Sequence, residues 1–123
     1  MYQVIVVEDD FRNAMMLEAM IESDDISVVL AQTGEEALNK LSEYDIQLII
    51  LDVMLPKMNG VQVTRAIRES SVTSHLPIIA VSANVDNSMI EAIKEAGCNE
   101  FLQKPFNIRE LKNTVDQYLA HAQ

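Results

Sequence analysis

The feature that most constrains the fold is an apolar run in the middle of the chain, Leu48-Ile-Ile-Leu51, which leads into the carboxylate of Asp52. A run without polar alternation is typical of a strand buried on both faces, as in a parallel sheet covered by helices. Asp52 is the first residue past the run, and a loop containing a proline connects it to Gly60. Ligands and reacting groups collect at the carboxyl ends of strands in open parallel sheets. Asp52 is therefore the first candidate for a functional residue.

Four more strand-like runs occur along the chain, and a helical pattern follows each strand. We predict strands at about 4–7, 26–30, 46–51, 78–81 and 100–102, and helices at about 11–22, 34–42, from 60 onward, 86–96 and after 107. Repeated βα units with right-handed crossovers build a doubly wound parallel sheet. We therefore expect an α/β fold with a five-stranded, flavodoxin-like sheet in strand order 2-1-3-4-5. Residues 1–123 would form one domain, with no separate output domain.

Charge, cysteine content and the lengths of apolar runs limit the partners and the compartment that we expect for this protein. The formal charge is -10, from 9 basic and 19 acidic residues, which argues against direct binding to nucleic acids or anionic membranes. The single cysteine, Cys98, fits a reducing compartment. The chain does not start with a signal-peptide pattern, and no apolar run approaches the length needed to span a membrane. We therefore expect a cytoplasmic protein without membrane insertion.

The predicted topology brings polar side chains to one edge of the sheet. The carboxyl ends of strands one, three, four and five would gather five residues there: Glu8, Asp9, Asp52, Ser82 and Lys104. Three carboxylates would repel one another without a cation between them, and an oxygen-rich cluster suits a hard divalent ion, Mg²⁺ above all. Such an arrangement fits phosphoryl transfer, with Asp52 as the nucleophile. The ion, Lys104 and Ser82 would neutralise charge on the transferred oxygens.

These motifs resemble the receiver domain of bacterial two-component response regulators, of the single-domain chemotaxis or phosphorelay type. The likeness covers the whole chain and rests on four motifs in the family's order and spacing: Glu8-Asp9, the loop Asp52–Gly60, Ser82-Ala83 and Lys104-Pro105. It implies a phosphoacceptor switch that takes its phosphoryl group from a histidine kinase or a histidine phosphotransfer protein and controls a downstream protein. Such a switch is not an enzyme beyond its self-phosphorylation and autodephosphorylation.

The resemblance also implies individual roles at the site. Asp9 and Asp52 would bind Mg²⁺ directly, Glu8 would act through water, and the backbone carbonyl of Met54 would be a further ligand. Ser82 and Lys104 would contact the phosphoryl group, and the Lys104–Pro105 peptide bond would be cis. In this family, variable residues near the site set the lifetime of the phosphoryl group, and Met54 and Asn84 occupy those places here.

Phe101 occupies the aromatic switch position of the family. When Ser82 moves toward a phosphoryl group, the ring can follow and change the face made by helix four, strand five and helix five. The residue here is Phe rather than the common Tyr, so this coupling would act through packing, without a hydroxyl hydrogen bond.

Helix one offers a candidate partner surface. Helical spacing predicts that one apolar face packs on the sheet, made of Asn13, Met16, Leu17, Met20 and Ile21. The outward face would then carry Phe11, Ala14 and Met15, a candidate docking surface for the helical bundle that bears the donor histidine.

Three rival functions fit parts of the pattern. A flavodoxin-type cofactor site needs phosphate-binding donors after strand one, where this chain has Glu8-Asp9-Asp10. An aspartyl phosphohydrolase usually has a second acid two residues after its nucleophile, and that position is Met54. A pseudo-receiver that only binds partners remains open, although the intact set of site residues argues against it.

Overall fold

The computed structural model describes residues 1–83 and 86–121, and its centre is a parallel sheet of five strands. The spatial order is β2-β1-β3-β4-β5, so the predicted strand order is confirmed. The strands are β1 (Tyr2–Val7), β2 (Ile26–Ala31), β3 (Leu48–Asp52), β4 (Ile78–Ser82) and β5 (Glu100–Gln103). Strand β3 begins two residues later than predicted and includes Asp52. Its five residues are all buried, as the unbroken apolar run requires.

Five helices connect and follow the strands: α1 (Phe11–Ile21), α2 (Gly34–Glu43), α3 (Gly60–Glu69), α4 (Asn87–Ala96) and α5 (Ile108–Leu119). Each begins after a residue whose side chain accepts a hydrogen bond from the backbone three positions on, namely Asp10, Thr33, Asn59, Asp86 and Asn107. Gly97 ends α4 with a φ of 116°, the left-handed conformation predicted for a terminal glycine. Within the described residues, no helix is long and apolar enough to cross a membrane.

The sheet buries both of its faces. Val4 and Val6 pack in one cluster with residues of α1 and α5, whereas Ile5 and Val7 pack in another with residues of α2 and α3. Successive residues of a strand point to opposite faces, so each cluster takes alternate residues of β1. A third cluster contains Val53 and the inner side of α4. The architecture is therefore the doubly wound α/β fold expected from the sequence.

The buried face of α1 differs from the prediction in two residues. Ala14 is 4% exposed and packs inward with Leu17 and Ile21, whereas Met16 is 51% exposed. Placing Ala14 on an outward docking face was therefore wrong. The small side chain of Ala14 lets the helix approach the sheet, and spacings of three and four residues link it to Leu17 and Ile21.

Candidate functional site

The carboxyl edge of the sheet gathers the acidic residues predicted to meet there. Glu8 and Asp9 directly follow β1, Asp52 ends the neighbouring strand β3, and one carboxylate oxygen from each lies within 4.8 Å of the others. Glu8 and Asp52 are 1% and 8% exposed, whereas Asp9 reaches the solvent. Three carboxylates this close, two of them buried, form the oxygen donor set that a hard divalent cation needs. The residues present thus fit Mg²⁺.

Lys104 joins this cluster from the end of β5. Its ammonium nitrogen lies 3.1 Å from Glu8 Oε1 and 3.7 Å from Asp52 Oδ2. The other oxygen of Glu8 accepts a hydrogen bond of 3.1 Å from the backbone N–H of Asp10. Asp10 itself caps α1 by accepting from the N–H of Asn13, so it belongs to the helix start rather than to the acidic cluster. Glu8 is consequently held in one position from both sides.

The backbone after β3 orients the carboxylate of Asp52. The N–H of Met54 donates to Asp52 Oδ1 over 2.9 Å, while Val53 binds the β4 backbone through the carbonyl of Val81. The loop closes where the N–H of Gly60 donates to the carbonyl of Val53 over 2.8 Å. With Oδ1 held by the backbone, Oδ2 is the oxygen that faces Lys104.

Although Asp9 is exposed, partial loss of hydration and a neighbouring carboxylate raise its pKa above the ordinary value of 3.8. Loss of hydration is the largest cause, followed by a hydrogen bond with Glu8 and by the negative charge of Glu8. Each of these effects makes the charged form of Asp9 less favourable. A bound cation would act in the opposite direction, because it stabilises the carboxylate.

Ser82 lies on β4, the strand next to Asp52, and Phe101 lies on β5, one strand further out in the sheet. Ser82 ends β4 with 1% exposure, and its carbonyl accepts a hydrogen bond of 2.9 Å from the N–H of Lys104. Phe101 is half-buried on β5 and packs against the cluster that contains Val53 and Ile93. The Lys104–Pro105 peptide bond is cis, as predicted. Asn84, proposed above as a lifetime residue, lies outside the described residues.

The outward side of α1 carries a different apolar set from the one predicted. Phe11 is 62% exposed and Met15 is 48% exposed, as expected, and Met16 joins them in place of the buried Ala14. Next to Met16, a groove of about 420 Å³ is lined by residues of α1, by the residue that follows β4 and by the segment after β5: Asn13, Met16, Leu17, Met20, Ala83, Lys104, Pro105 and Phe106. The sequence reasoning missed this groove, because Phe106 follows β5 and has no periodic pattern that would place it beside α1.

Comparisons with known proteins agree with this geometry. The response regulator receiver domain family matches residues 4–116. The polar-differentiation response regulator DivK of Brucella abortus is 30% identical over 119 residues, which are 97% of each chain. A solved structure described as a response regulator from Chloroflexus aurantiacus J-10-fl is 35% identical and superposes with a TM-score of 0.90, covering 97% of this chain and 98% of that one.

One further solved structure bears on the acidic cluster. The receiver domain of a sensor histidine kinase from Pseudomonas aeruginosa PAO1 is 31% identical and has a TM-score of 0.88, with 97% of this chain and 98% of that one covered. That structure has a magnesium ion coordinated in its active-site cleft. A family match over most of the sequence, together with relatives of this identity over nearly their whole lengths, shows that the chain belongs to the response regulator receiver domain family.

Proposed function

We propose that the protein is a phosphoacceptor switch in which Asp52 takes a phosphoryl group from a phosphohistidine in a Mg²⁺-dependent reaction. The observation that carries the proposal is the meeting of Glu8, Asp9 and Asp52 within 4.8 Å, with the Lys104 ammonium 3.7 Å from Asp52 Oδ2. A nucleophilic carboxylate, two further carboxylates that can bind a cation, and a fixed ammonium are the groups that transfer of an anionic phosphoryl group requires.

The contacts of Asp52 suggest how the two oxygens divide their roles. Oδ1 accepts the N–H of Met54, so Oδ2 is the attacking oxygen. Attack forms a P–O bond as the P–N bond to the donor imidazole breaks, and the electron pair of that bond stays on the imidazole nitrogen. Lys104 then pairs with an oxygen of the transferred group.

Magnesium, held by Asp9 and Asp52 directly, by Glu8 through water and by the Met54 carbonyl, would neutralise charge on the phosphoryl oxygens. The donor atoms of the three carboxylates support this assignment because they are hard oxygen ligands at one buried edge. In this scheme the protein itself is the acceptor that is modified. It is therefore not an enzyme, apart from the self-phosphorylation and autodephosphorylation of Asp52.

Phosphorylation of Asp52 changes the conformation of the domain through Ser82 and Phe101. The Ser82 hydroxyl turns toward the new phosphoryl group, and the Phe101 ring moves into the space this frees. The ring packs against the cluster that contains Ile93 and Ala96 of α4, so its movement changes the face made by α4, β5 and α5. That face then binds or releases a downstream protein.

The phosphodonor docks on the exposed apolar side of α1. Phe11 and Met15 present apolar surface to solvent beside the acidic edge, which suits a helical histidine-bearing partner, either a histidine kinase or a histidine phosphotransfer protein. In a Phe11→Ser variant, transfer from a phosphorylated histidine phosphotransfer protein should slow. Phosphorylation by acetyl phosphate, which needs no docking surface, should be unchanged.

The decisive experiment is the intact mass of the protein after incubation with acetyl phosphate and Mg²⁺. Wild type should gain one phosphoryl group, and a chelator should abolish the gain. Asp52→Asn should gain none, whereas Asp45→Asn, which removes an exposed aspartate elsewhere, should behave as wild type. If folded wild type gains nothing, the proposal is wrong, and a pseudo-receiver that only binds partners becomes the better assignment.

A further inference from the structure

Besides Met1 at the start of the chain, three methionine side chains are largely exposed to solvent. Met15, Met16 and Met54 are 48%, 51% and 53% exposed, whereas Met20, Met58 and Met89 are partly buried. Exposed thioethers are the ones that peroxides oxidise to sulfoxides, which turns an apolar side chain into a polar hydrogen-bond acceptor. Of the three, only Met54 forms a hydrogen bond, through its backbone N–H, with the proposed phosphoacceptor Asp52.

Met54 stands at the entrance to the Asp52 carboxylate. Its N–H donates to Asp52 Oδ1 over 2.9 Å, so its backbone position is tied to that carboxylate. Asp52 and Val53 are 8% and 0% exposed, which makes Met54 the first residue after the phosphoacceptor whose side chain reaches solvent. Because the loop beside Asp52 opens to solvent at Met54, we expect water that approaches a phosphorylated Asp52 to pass its thioether, which is only a weak hydrogen-bond acceptor.

We propose that Met54 is an oxidation site whose conversion to the sulfoxide shortens the lifetime of phosphorylated Asp52. This inference rests on the proposed phosphoacceptor function. In the oxidation step, a sulfur lone pair attacks one oxygen of hydrogen peroxide, the O–O bond breaks, and sulfoxide and water form. Sulfur is oxidised and the peroxide is reduced.

The sulfoxide oxygen then holds a water molecule at the entrance of the site by accepting its hydrogen. Attack of that water on phosphorus forms a new P–O bond and breaks the bond to Asp52, which leaves as the free carboxylate with the electron pair. Inorganic phosphate is released, and the proton passes to solvent. Holding a reactant in place lowers the barrier of such a step.

The test compares dephosphorylation rates before and after mild peroxide treatment, with peptide mass spectrometry to report which methionines are oxidised. Protein phosphorylated with acetyl phosphate and Mg²⁺ is freed of the donor, and loss of the phosphoryl group is followed by intact mass. Oxidised wild type should lose it at least about threefold faster than untreated wild type. Met54→Leu, which keeps every other methionine, should show no change on treatment, and Met54→Gln should be fast without treatment.

The proposal is overturned if oxidised wild type is no faster than untreated protein, or if Met54→Leu responds to peroxide as wild type does. It is also overturned if Met54 is oxidised no faster than the partly buried Met20 and Met89. Failure of the underlying function gives a different result, because untreated wild type would then take up no phosphoryl group at all.

Discussion

Lys104 and Glu8 form an ion pair at the carboxyl edge of the sheet, with 3.1 Å between the ammonium nitrogen and a carboxylate whose side chain is 1% exposed. The same ammonium lies 3.7 Å from Asp52. Lys104 is thus the cation that offsets the buried acidic cluster. A buried carboxylate that loses its partner destabilises the fold, because its hydration has already been given up.

Replacing Lys104 should therefore reduce stability in a way that magnesium reverses. Lys104→Met should lower the free energy of unfolding by about 2–4 kcal/mol in the presence of a chelator, since the Glu8 carboxylate stays buried and unpaired. Added Mg²⁺ should restore part of the loss by supplying positive charge. Urea unfolding with and without Mg²⁺ measures both effects. Lys94→Met, at an exposed position of α4, is the control and should change little; an equal loss in that variant would contradict the argument.

Asp9 should be a site where function costs stability. Because the pKa of Asp9 is raised, the folded state favours its protonated form. The stability that protonated Asp9 contributes is fully present below pH 3.8 and is lost as the pH rises through the higher pKa of the folded state. With a chelator present at pH 7, Asp9→Asn should therefore melt at a higher temperature than wild type. The difference should disappear below pH 3.8, where wild type is protonated in both states.

The same variant should bind Mg²⁺ less tightly, because it lacks one carboxylate ligand. Thermal melts across the pH range, repeated with and without Mg²⁺, check both expectations. Asp10→Asn is the matched control, since Asp10 caps α1 and its replacement can still accept the capping hydrogen bond. A higher melting temperature that persists at low pH would show that charge is not the cause.

The sequence predicted the sheet and the site edge because strong local patterns encode both. The apolar runs at β1, β3 and β4 are buried on both faces, so they lack the alternation that could be confused with a surface strand. Given the strand order 2-1-3-4-5 expected of a flavodoxin-like sheet, the residues after the carboxyl ends of the strands lie along one edge. Glu8, Asp52 and Lys104 are therefore placed by topology rather than by any contact visible in the sequence.

The orientation of α1 could not be predicted in the same way. Apolar residues occupy most of its circumference, so Ala14 and Met16 fit an inward face about equally well by hydrophobicity. Packing decides between them: a helix that lies close to the sheet favours the small Ala14 inside. Contacts between distant segments were also invisible, such as the hydrogen bonds of the Arg68 guanidinium to Gly97 and Leu76, since they pair side chains with backbone carbonyls.

Thr64 on the inner side of α3 should be a position where the natural residue is not the most stable one. It is 0% exposed, and its hydroxyl has no hydrogen-bond partner within residues 1–83 and 86–121. Thr64→Val keeps the shape and removes the buried polar atom, so it should stabilise the protein by about 1 kcal/mol in urea unfolding. Thr64→Ser keeps the hydroxyl, loses the methyl group and should destabilise it. A loss of stability in the valine variant would show that the hydroxyl is satisfied.

Two glycines should respond differently to the addition of a methyl group. A Cβ on Gly60 would lie 2.6 Å from the Cα of Val53 and 3.0 Å from the carbonyl oxygen of Asp52, whereas a Cβ on Gly34 would overlap the side chain of Val63. Backbone atoms beside Asp52 can relieve the clash at Gly60 only by a shift that also moves the Asp52 carboxylate. Gly60→Ala should therefore lose about 1–3 kcal/mol of stability and also phosphorylate more slowly with acetyl phosphate.

Gly34→Ala should lose stability alone, since the atoms nearest to its Cβ belong to the side chains of Val63 and Met58 and not to the backbone beside Asp52. The double variant Gly34→Ala with Val63→Ala should regain part of that loss, because the second change removes the clashing methyl group at the cost of a smaller core residue. Adding Val63→Ala to Gly60→Ala should give no such recovery. Urea unfolding and the rate of mass gain with acetyl phosphate, measured on all four variants, distinguish a clash with the backbone from a clash with a side chain. If Val63→Ala restored stability in both the Gly34→Ala and the Gly60→Ala protein, the backbone at Val53 would move as readily as a side chain.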